Sequence, residues 1–247
     1  MFKTKTESEI ELMRESGKIL KKTLELLEKE VKPGISTKHL DKIAHDYIVS
    51  CGARPACLGY MGFPASICTS VDDMVVHGIP REDQILKEGQ IIGIDLCVKY
   101  KGFITDAART FAVGKISPEK QNLIKVTEES FYEGIKGIKA GSRVGDIGSS
   151  VQRYVEKHGY SVVRDLVGHG VGKTMHEDPA IPNYGTAGMG AKLPAGITIA
   201  VEPMVNLGKY NVVFNGMWDV RTTDGKPSAH YENTILITDQ GVEILTI

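Results

Sequence analysis

The chain has 247 residues, enough for one large core and compatible with a single domain of α/β type, and its composition is that of an ordinary folded protein. With 30 basic and 31 acidic residues the net charge is −1, which offers neither nucleic acid nor a membrane surface an electrostatic handle. No stretch approaches the roughly 20 apolar residues of a membrane helix, and the opening MFKTKTESEIELMRES lacks the apolar core of a signal peptide. Cys51, Cys57, Cys68 and Cys97 form no C-x-x-C pair, so the expectation is a cytoplasmic protein with reduced thiols.

Thr6-Glu7-Ser8-Glu9 is a capping-box pattern, and behind it Ile10, Met13, Leu20, Leu24, Leu27 and Val31 recur at helical spacings. Lys32-Pro33-Gly34 stops this first helix, and Ser36 caps a second that runs to about Ser50 with Leu40, Ile43, Tyr47 and Ile48 on its inner side. The irregular stretch from Gly52 to Pro80, rich in Gly, Pro and aromatic residues, is where a substrate pocket is expected. Two β-rich runs follow, Ile91 to Val98 and Phe103 to Ala112, joined by a short turn. Ser117-Pro118-Glu119 opens a third helix reaching about Lys139, and a fourth spans Val144 to Lys157 with Gly159 just past its end. Strands are expected at Val162–Val167, Ile197–Val201, Asn211–Phe214 and Ala229–Ile237.

An ungapped internal repeat runs at an offset of 107 residues. Gly34, Leu40, Tyr47 and Gly52 fall on Gly141, Ile147, Tyr154 and Gly159, and Gly89, Ile92, Ile94 and Asp95 fall on Gly196, Ile199, Val201 and Glu202. Both halves read helix, helix, hairpin. The period is too long for a solenoid and points to two pseudo-symmetric halves, about 1–112 and 113–247, within one domain.

The hairpin carries the first chemical signal. A turn centred on Tyr100 and Lys101 makes opposed residue numbers sum to 201, so that Asp95 faces Asp106. Like charges so placed destabilise the pair unless something neutralises them, and a bound cation is the simplest neutraliser. Glu202, in the apolar run Ile199-Ala200-Val201-Glu202-Pro203, would be costly to bury without a partner. Glu232 leads the apolar strand Asn233 to Ile237, and His169 is the one functional side chain among the glycines of Gly168-His169-Gly170-Val171-Gly172, which free the backbone there. Any one of the five alone could be an ordinary surface acid or a hydrogen-bonded core histidine. Together they suit two divalent metals of the Mn, Fe, Co or Zn type.

These five, with His77 in Val75-Val76-His77-Gly78-Ile79-Pro80 and His176 in Met175-His176-Glu177-Asp178-Pro179, resemble the type I methionine aminopeptidases closely and over nearly the whole chain. The resemblance implies an α+β pita-bread fold and an enzyme that removes N-terminal methionine from nascent polypeptides, at the ribosome, as a monomer. It implies that Asp106 and Glu232 bridge two metals, that Asp95 binds one, and that His169 with Glu202 completes the other. Glu202 is then also the proton shuttle, His176 donates to the developing oxyanion, and His77 contacts the scissile amide nitrogen or the leaving side. The implied methionine pocket is walled by Cys57, Tyr60, Phe63, Cys68, Met175 and Trp218, with His77 and His176 at its reacting end. Met175 departs from a common phenylalanine, while Asp72 and Gly93 stand where asparagine is common and Asn233 where histidine is. Prolidases share the metal pattern but carry a large additional N-terminal domain, and no C-x-x-C-bearing N-terminal extension of the eukaryotic kind precedes the first helix here. Non-catalytic relatives typically lose metal ligands, and this chain keeps all five.

Overall fold

The apolar stripe that begins at Ile10 is buried along α1 (Glu7–Glu30), where the side chains of Ile10, Met13, Leu20, Leu24 and Leu27 face the interior. Thr6 and Glu9 close the expected capping box at its start. In the computed structural model, which describes residues 2–247, α1 is followed by α2 (Thr37–Ser50), β1 (Arg54–Pro55), β2 (Cys68–Val71), β3 (Met74–Val76), β4 (Ile91–Tyr100) and β5 (Phe103–Ala112). The second half contains α3 (Pro118–Ile135), α4 (Val144–Lys157), β6 (Ser161–Val162), β7 (Gly168–Gly170), β8 (Glu177–Ile181) and β9 (Thr198–Val201). It closes with β10 (Met204–Asn206), β11 (Val212–Asn215), β12 (Asp219–Thr222), β13 (Ser228–His230), β14 (Glu232–Ile237) and β15 (Val242–Ile244).

One antiparallel sheet runs β1-β4-β5-β14-β9-β7-β8, with β2 on β4 and β15 on β14. Strand alternation divides its two faces. In the first half Ile92, Ile94, Leu96 and Val98 of β4 pack with Leu20, Leu24, Leu27, Leu40 and Ile48 of the two helices. In the second half Ile199, Val201, Ile235 and Ile237 pack with Leu123, Phe131, Ile147 and Val151. Odd-numbered Asp95 and even-numbered Asp106, Glu202 and Glu232 have the opposite parity to the helix-facing sets of their own strands, so they lie on the uncovered face. The halves join where β5 meets β14, with Ala107 opposite Asn233. Asp106 and Glu232 each precede that central pair by one residue. Arg109 pins the joint by donating to the Glu232 carbonyl at 2.6 Å and to Asn233 Oδ1 at 2.7 Å. Thr246 Oγ1 donates to the same Asn233 oxygen at 2.9 Å, so the asparagine that departs from the family pattern has a structural role at the joint. Of the other departures, Asp72 pairs with Lys120 Nζ at 2.6 Å, and nothing in the structure explains Gly93, where a Cβ would find ordinary contacts.

The 107-residue offset holds in backbone geometry as well as in sequence. α2 and α4 start and end at matching positions, the isolated bridge Ser36–Ile85 corresponds to Arg143–Lys192, and the glycine pairs 34/141, 52/159 and 89/196 all have positive φ. The second hairpin differs in its connection, since β10 to β13 intervene between β9 and β14.

Four local expectations change. The β4–β5 pairing sums to 203, with Asp95 opposite Ala108 and Cys97 opposite Asp106. The two central turn residues are Lys101 (φ 44°) and Gly102 (φ 94°), because a two-residue hairpin of this twist needs left-handed backbone at both positions and glycine supplies it cheaply. A slip of two residues preserves the face, so the two acids remain diagonal neighbours. α3 ends at Ile135, since Gly137 at φ 75° breaks it before Lys139. The strand expected from Val162 to Val167 stops at Val162, and the run Ala229–Ile237 divides at Tyr231 into β13 and β14.

Leu40 and Ile147 occupy the same place in the two halves and are fully buried. Leu40→Ala and Ile147→Ala are each expected to lower unfolding free energy by about 2–5 kcal/mol, read by urea denaturation of the metal-free protein.

Candidate active site

A cavity of about 370 Å³ opens on the uncovered face of the sheet, and all 13 side chains singled out in the sequence line it. Asp95 comes from β4, Asp106 from β5, Glu232 from the start of β14, Glu202 from the end of β9 and His169 from β7. One ligand atom from each of Asp106, His169 and Glu232 lies within 4.8 Å of the others, and Asp95, Cys97 and Asp106 form a second such group, so Asp106 belongs to both. His169 Nε2 stands 3.6 Å from Glu202 Oε1 and 3.8 Å from Asp106 Oδ2. Its other nitrogen, Nδ1, is 2.9 Å from the Gly170 carbonyl, a contact that makes Nδ1 the protonated nitrogen and leaves the Nε2 lone pair facing the acids.

Gly168 and Gly170 do not supply unusual backbone angles. They permit close approach: a Cβ on Gly168 would lie 2.3 Å from the Ala200 carbonyl oxygen, and one on Gly170 would lie 2.4 Å from that of Asp178. The glycines seat His169 deep between β8 and β9.

The cluster is electrostatically unsatisfied in the protein alone. Burial first, and then the Asp106 charge, push Asp95, Glu202 and Glu232 well above the ordinary carboxylate range. Burial raises Asp106 to about 7 and holds His169 down to about 4. Asp106 Oδ1 and Glu232 Oε1 are buried without a hydrogen-bond partner. Buried acceptor oxygens without donors, carboxylates crowded together and an imidazole lone pair turned toward them are a donor set that fits divalent cations.

The remaining expected residues surround this cluster. Cys57, Tyr60 and Phe63 come from the loop after β1, Cys68 from β2, Met175 and His176 from the β7–β8 loop, and Trp218 from the β11–β12 turn. Phe63 meets Trp218 edge-on at 5.2 Å, and His77 meets the same indole at 6.0 Å. His77 has φ 61°, a strained conformation for a non-glycine residue of the kind that clusters at functional sites. His176 sits 4.2 Å from the His169 ring, and its Nδ1 is 2.8 Å from the Tyr60 hydroxyl.

Two neighbours were passed over in the sequence. His230 is buried, its Nε2 lacks a partner, and it lies 3.8 Å from Glu202 Oε2 and 3.9 Å from Glu232 Oε2. Cys97 joins the Asp95–Asp106 group. Each is two residues from an acid already singled out, the spacing that puts strand side chains on one face.

The family model described as Metallopeptidase family M24 matches residues 11–239. The chain belongs to this family. It is 52% identical to a methionine aminopeptidase of Clostridium acetobutylicum in an alignment covering 100% of this chain and 99% of the relative. The crystal structure of a methionine aminopeptidase from Thermotoga maritima matches with TM-score 0.98 at 42% identity, covering 100% of this chain and 99% of that one. A prolidase from Pyrococcus furiosus, at 22% identity and TM-score 0.78, is similar in fold alone, and the match covers 99% of this chain and 65% of that protein. The M24 chain described here is therefore an α+β protein of pita-bread fold and a metal-dependent hydrolase, with two divalent ions of the Co, Mn, Fe or Zn class as its cofactor. Among the described residues no helix is long and apolar enough to cross a membrane.

An acid whose folded pKa is raised holds its proton more tightly in the native state. It therefore subtracts stability as pH climbs from the unfolded value to the folded one. For Asp106 this window runs from 3.8 to about 7. Metal-free protein is expected to lose thermal stability relative to its metal-free Asp106→Asn variant across that range, with a constant difference above it, and added divalent ion is expected to remove the pH dependence. Scanning calorimetry in chelator and in Mn2+ reads both.

Proposed function

We propose that this protein is a methionine aminopeptidase that removes the first methionine from nascent proteins and peptides whose second residue is small, and that residues 1–247 act as one catalytic domain of two pseudo-repeats, about 1–112 and 113–247. The observation that carries the reading is the convergence of four acids and His169 on one wall of a cavity whose other walls are thiol, thioether and aromatic groups. Asp106, the acid common to both ligand groups, and Glu232, its counterpart across the β5–β14 joint, would be shared by two metals, with Asp95 completing the set for one and His169 with Glu202 for the other. When bound, the ions supply Lewis acidity and a water activated for attack at neutral pH.

The chain's own residues do the rest. Glu202 takes the proton of the attacking water and delivers it to the leaving amine. The Tyr60 hydroxyl lies 2.8 Å from His176 Nδ1; in the tautomer where it donates to that nitrogen the hydrogen is on Nε2, where it can meet the developing oxyanion. Burial holds the His176 imidazole below its usual pKa, which keeps that donor neutral. His77, set by its strained backbone against Trp218, contacts the amide nitrogen or the leaving side. Cys57, Tyr60, Phe63, Cys68, Met175 and Trp218 hold the methionine side chain, and the flexible, polarisable thioether of Met175 suits a substrate of the same kind.

Prolyl peptidase activity is the competing reading within the fold, and the high-identity, full-length relatives favour methionine over it. A non-catalytic role is disfavoured by the complete ligand set. The likeness to full-length methionine aminopeptidases is what supports a monomer working in the cytoplasm on polypeptides emerging from the ribosome.

The deciding assay uses metal-stripped protein reconstituted separately with Co2+, Mn2+, Fe2+ and Zn2+ on methionyl and prolyl peptides. Methionine release is expected from Met-Gly peptides, with Met-Arg peptides slower because a bulky second side chain crowds His77; equal rates on both, or cleavage only before proline, would overturn the reading. His176→Ala is expected to lower kcat about 10²–10³-fold with metal content unchanged, measured by steady-state kinetics beside elemental analysis.

A further inference from the structure

We propose that Cys97 gives the Asp95–Asp106 end of the metal cluster a sulfur ligand, so that a soft divalent cation such as Cd2+ binds there on a mixed thiolate and carboxylate set. The inference rests on the reading of Asp95 and Asp106 as metal ligands and goes beyond it in assigning a thiol and a cation class to one end of the site.

Antiparallel register puts Cys97 directly opposite Asp106 and Cys68 directly opposite Asp95. Strand alternation keeps Cys97 on the same face as Asp95, and one ligand atom from each of Asp95, Cys97 and Asp106 lies within 4.8 Å of the others. Cys57 and Cys68 belong to the same buried cluster as Cys97, and all three line the cavity together with Asp95 and Asp106. Cys57, Cys68 and Cys97 are 7%, 5% and 3% exposed, which leaves little water to compete for a cation. Asp106 Oδ1, fully buried without a partner, stands ready as an acceptor in the same group.

The other ligand group, Asp106, His169 and Glu232, offers only oxygen and nitrogen. The two ends of the cluster therefore differ in softness. Hard cations such as Mn2+ prefer carboxylates and gain little from sulfur, whereas thiolates select soft and borderline ions. On binding, the Cys97 S–H bond breaks, its proton leaves to solvent and a sulfur–metal bond forms, with no change of oxidation state.

The test uses the full chain, stripped with chelator and titrated with CdCl2 or MnCl2 while the ultraviolet thiolate-to-cadmium charge-transfer absorption is followed. A saturable cadmium band is expected in the wild type and in Cys51→Ser, whose thiol lies outside the cluster. In Cys97→Ser the band should be lost and the preference for Cd2+ over Mn2+ should fall about tenfold or more. An undiminished band in Cys97→Ser, or none in the wild type, overturns the inference. Should Cys97→Ser fail to fold, the cadmium NMR shift decides: a sulfur-bound resonance that persists in Cys51→Ser, Cys57→Ser and Cys68→Ser supports the site, and one that is all-oxygen in the wild type, or lost in any of these variants, overturns it. Wild-type protein that binds Mn2+ and releases methionine but shows no cadmium–sulfur signal sinks only this inference, whereas failure to bind either ion sinks the metal-centre reading with it.

Discussion

Four carboxylates crowd on one face of one sheet, Asp106 and Glu232 buried and Asp95 and Glu202 half-buried, and the protein alone does not neutralise them. Burial of this kind disfavours the charged forms, and crowding adds repulsion; the upward shifts of Asp95, Asp106, Glu202 and Glu232 express both. A domain stable by a few kcal/mol cannot readily absorb such strain without a compensating ligand. A metal pair held by these acids would be that compensation, and it would link metal binding to native stability. The β5–β14 joint is where the constraint is concentrated, since Asp106 and Glu232 flank its central residue pair and each half contributes one of them.

The two kinds of functional residue sit on two kinds of scaffold. The candidate ligands lie on or at the ends of strands whose opposite faces are packed against helices, so their positions are set by the core. The pocket residues Cys57, Tyr60, Phe63, Met175, His176 and Trp218 come from connections. Rigid placement suits coordination, which tolerates little positional error, while loops let side-chain selectivity change without disturbing the cluster. His77, at φ 61°, stands at the boundary between the two, directly after β3. Arg109 shows how closely structure and chemistry are interwoven at the joint, because it bonds the carbonyl of the candidate ligand Glu232 and holds Asn233 beside it.

Much of this was legible in the order of residues because it depends on local rules. The capping box at Thr6, the cap at Ser36, the proline that opens α3 and the glycine beyond α4 act within a few residues of themselves, and the helices form where those signals stand. The repeat was legible for a different reason: two copies of one plan need the same turns, and glycine at 34/141, 52/159 and 89/196 meets the same backbone demand in each. The acids stood out because an ionised group in an apolar run calls for a partner wherever the run is buried, and strand parity fixed the face that Asp95 and Asp106 share even though the turn slipped by two residues.

What only the tertiary structure decided are the contacts between residues far apart in the chain. His230 reaches Glu202 across 28 positions, and Cys57, Cys68 and Cys97, from a loop and two strands, come into one buried cluster. The glycines about His169 answer to the carbonyls of Ala200 and Asp178, backbone that no nearby residue supplies. The physical reason is the range of the forces involved. Caps, turns and strand parity are set by neighbours in sequence, whereas coordination distance, softness of the ligand set and unpaired buried polarity arise only after strands from both halves have been brought side by side.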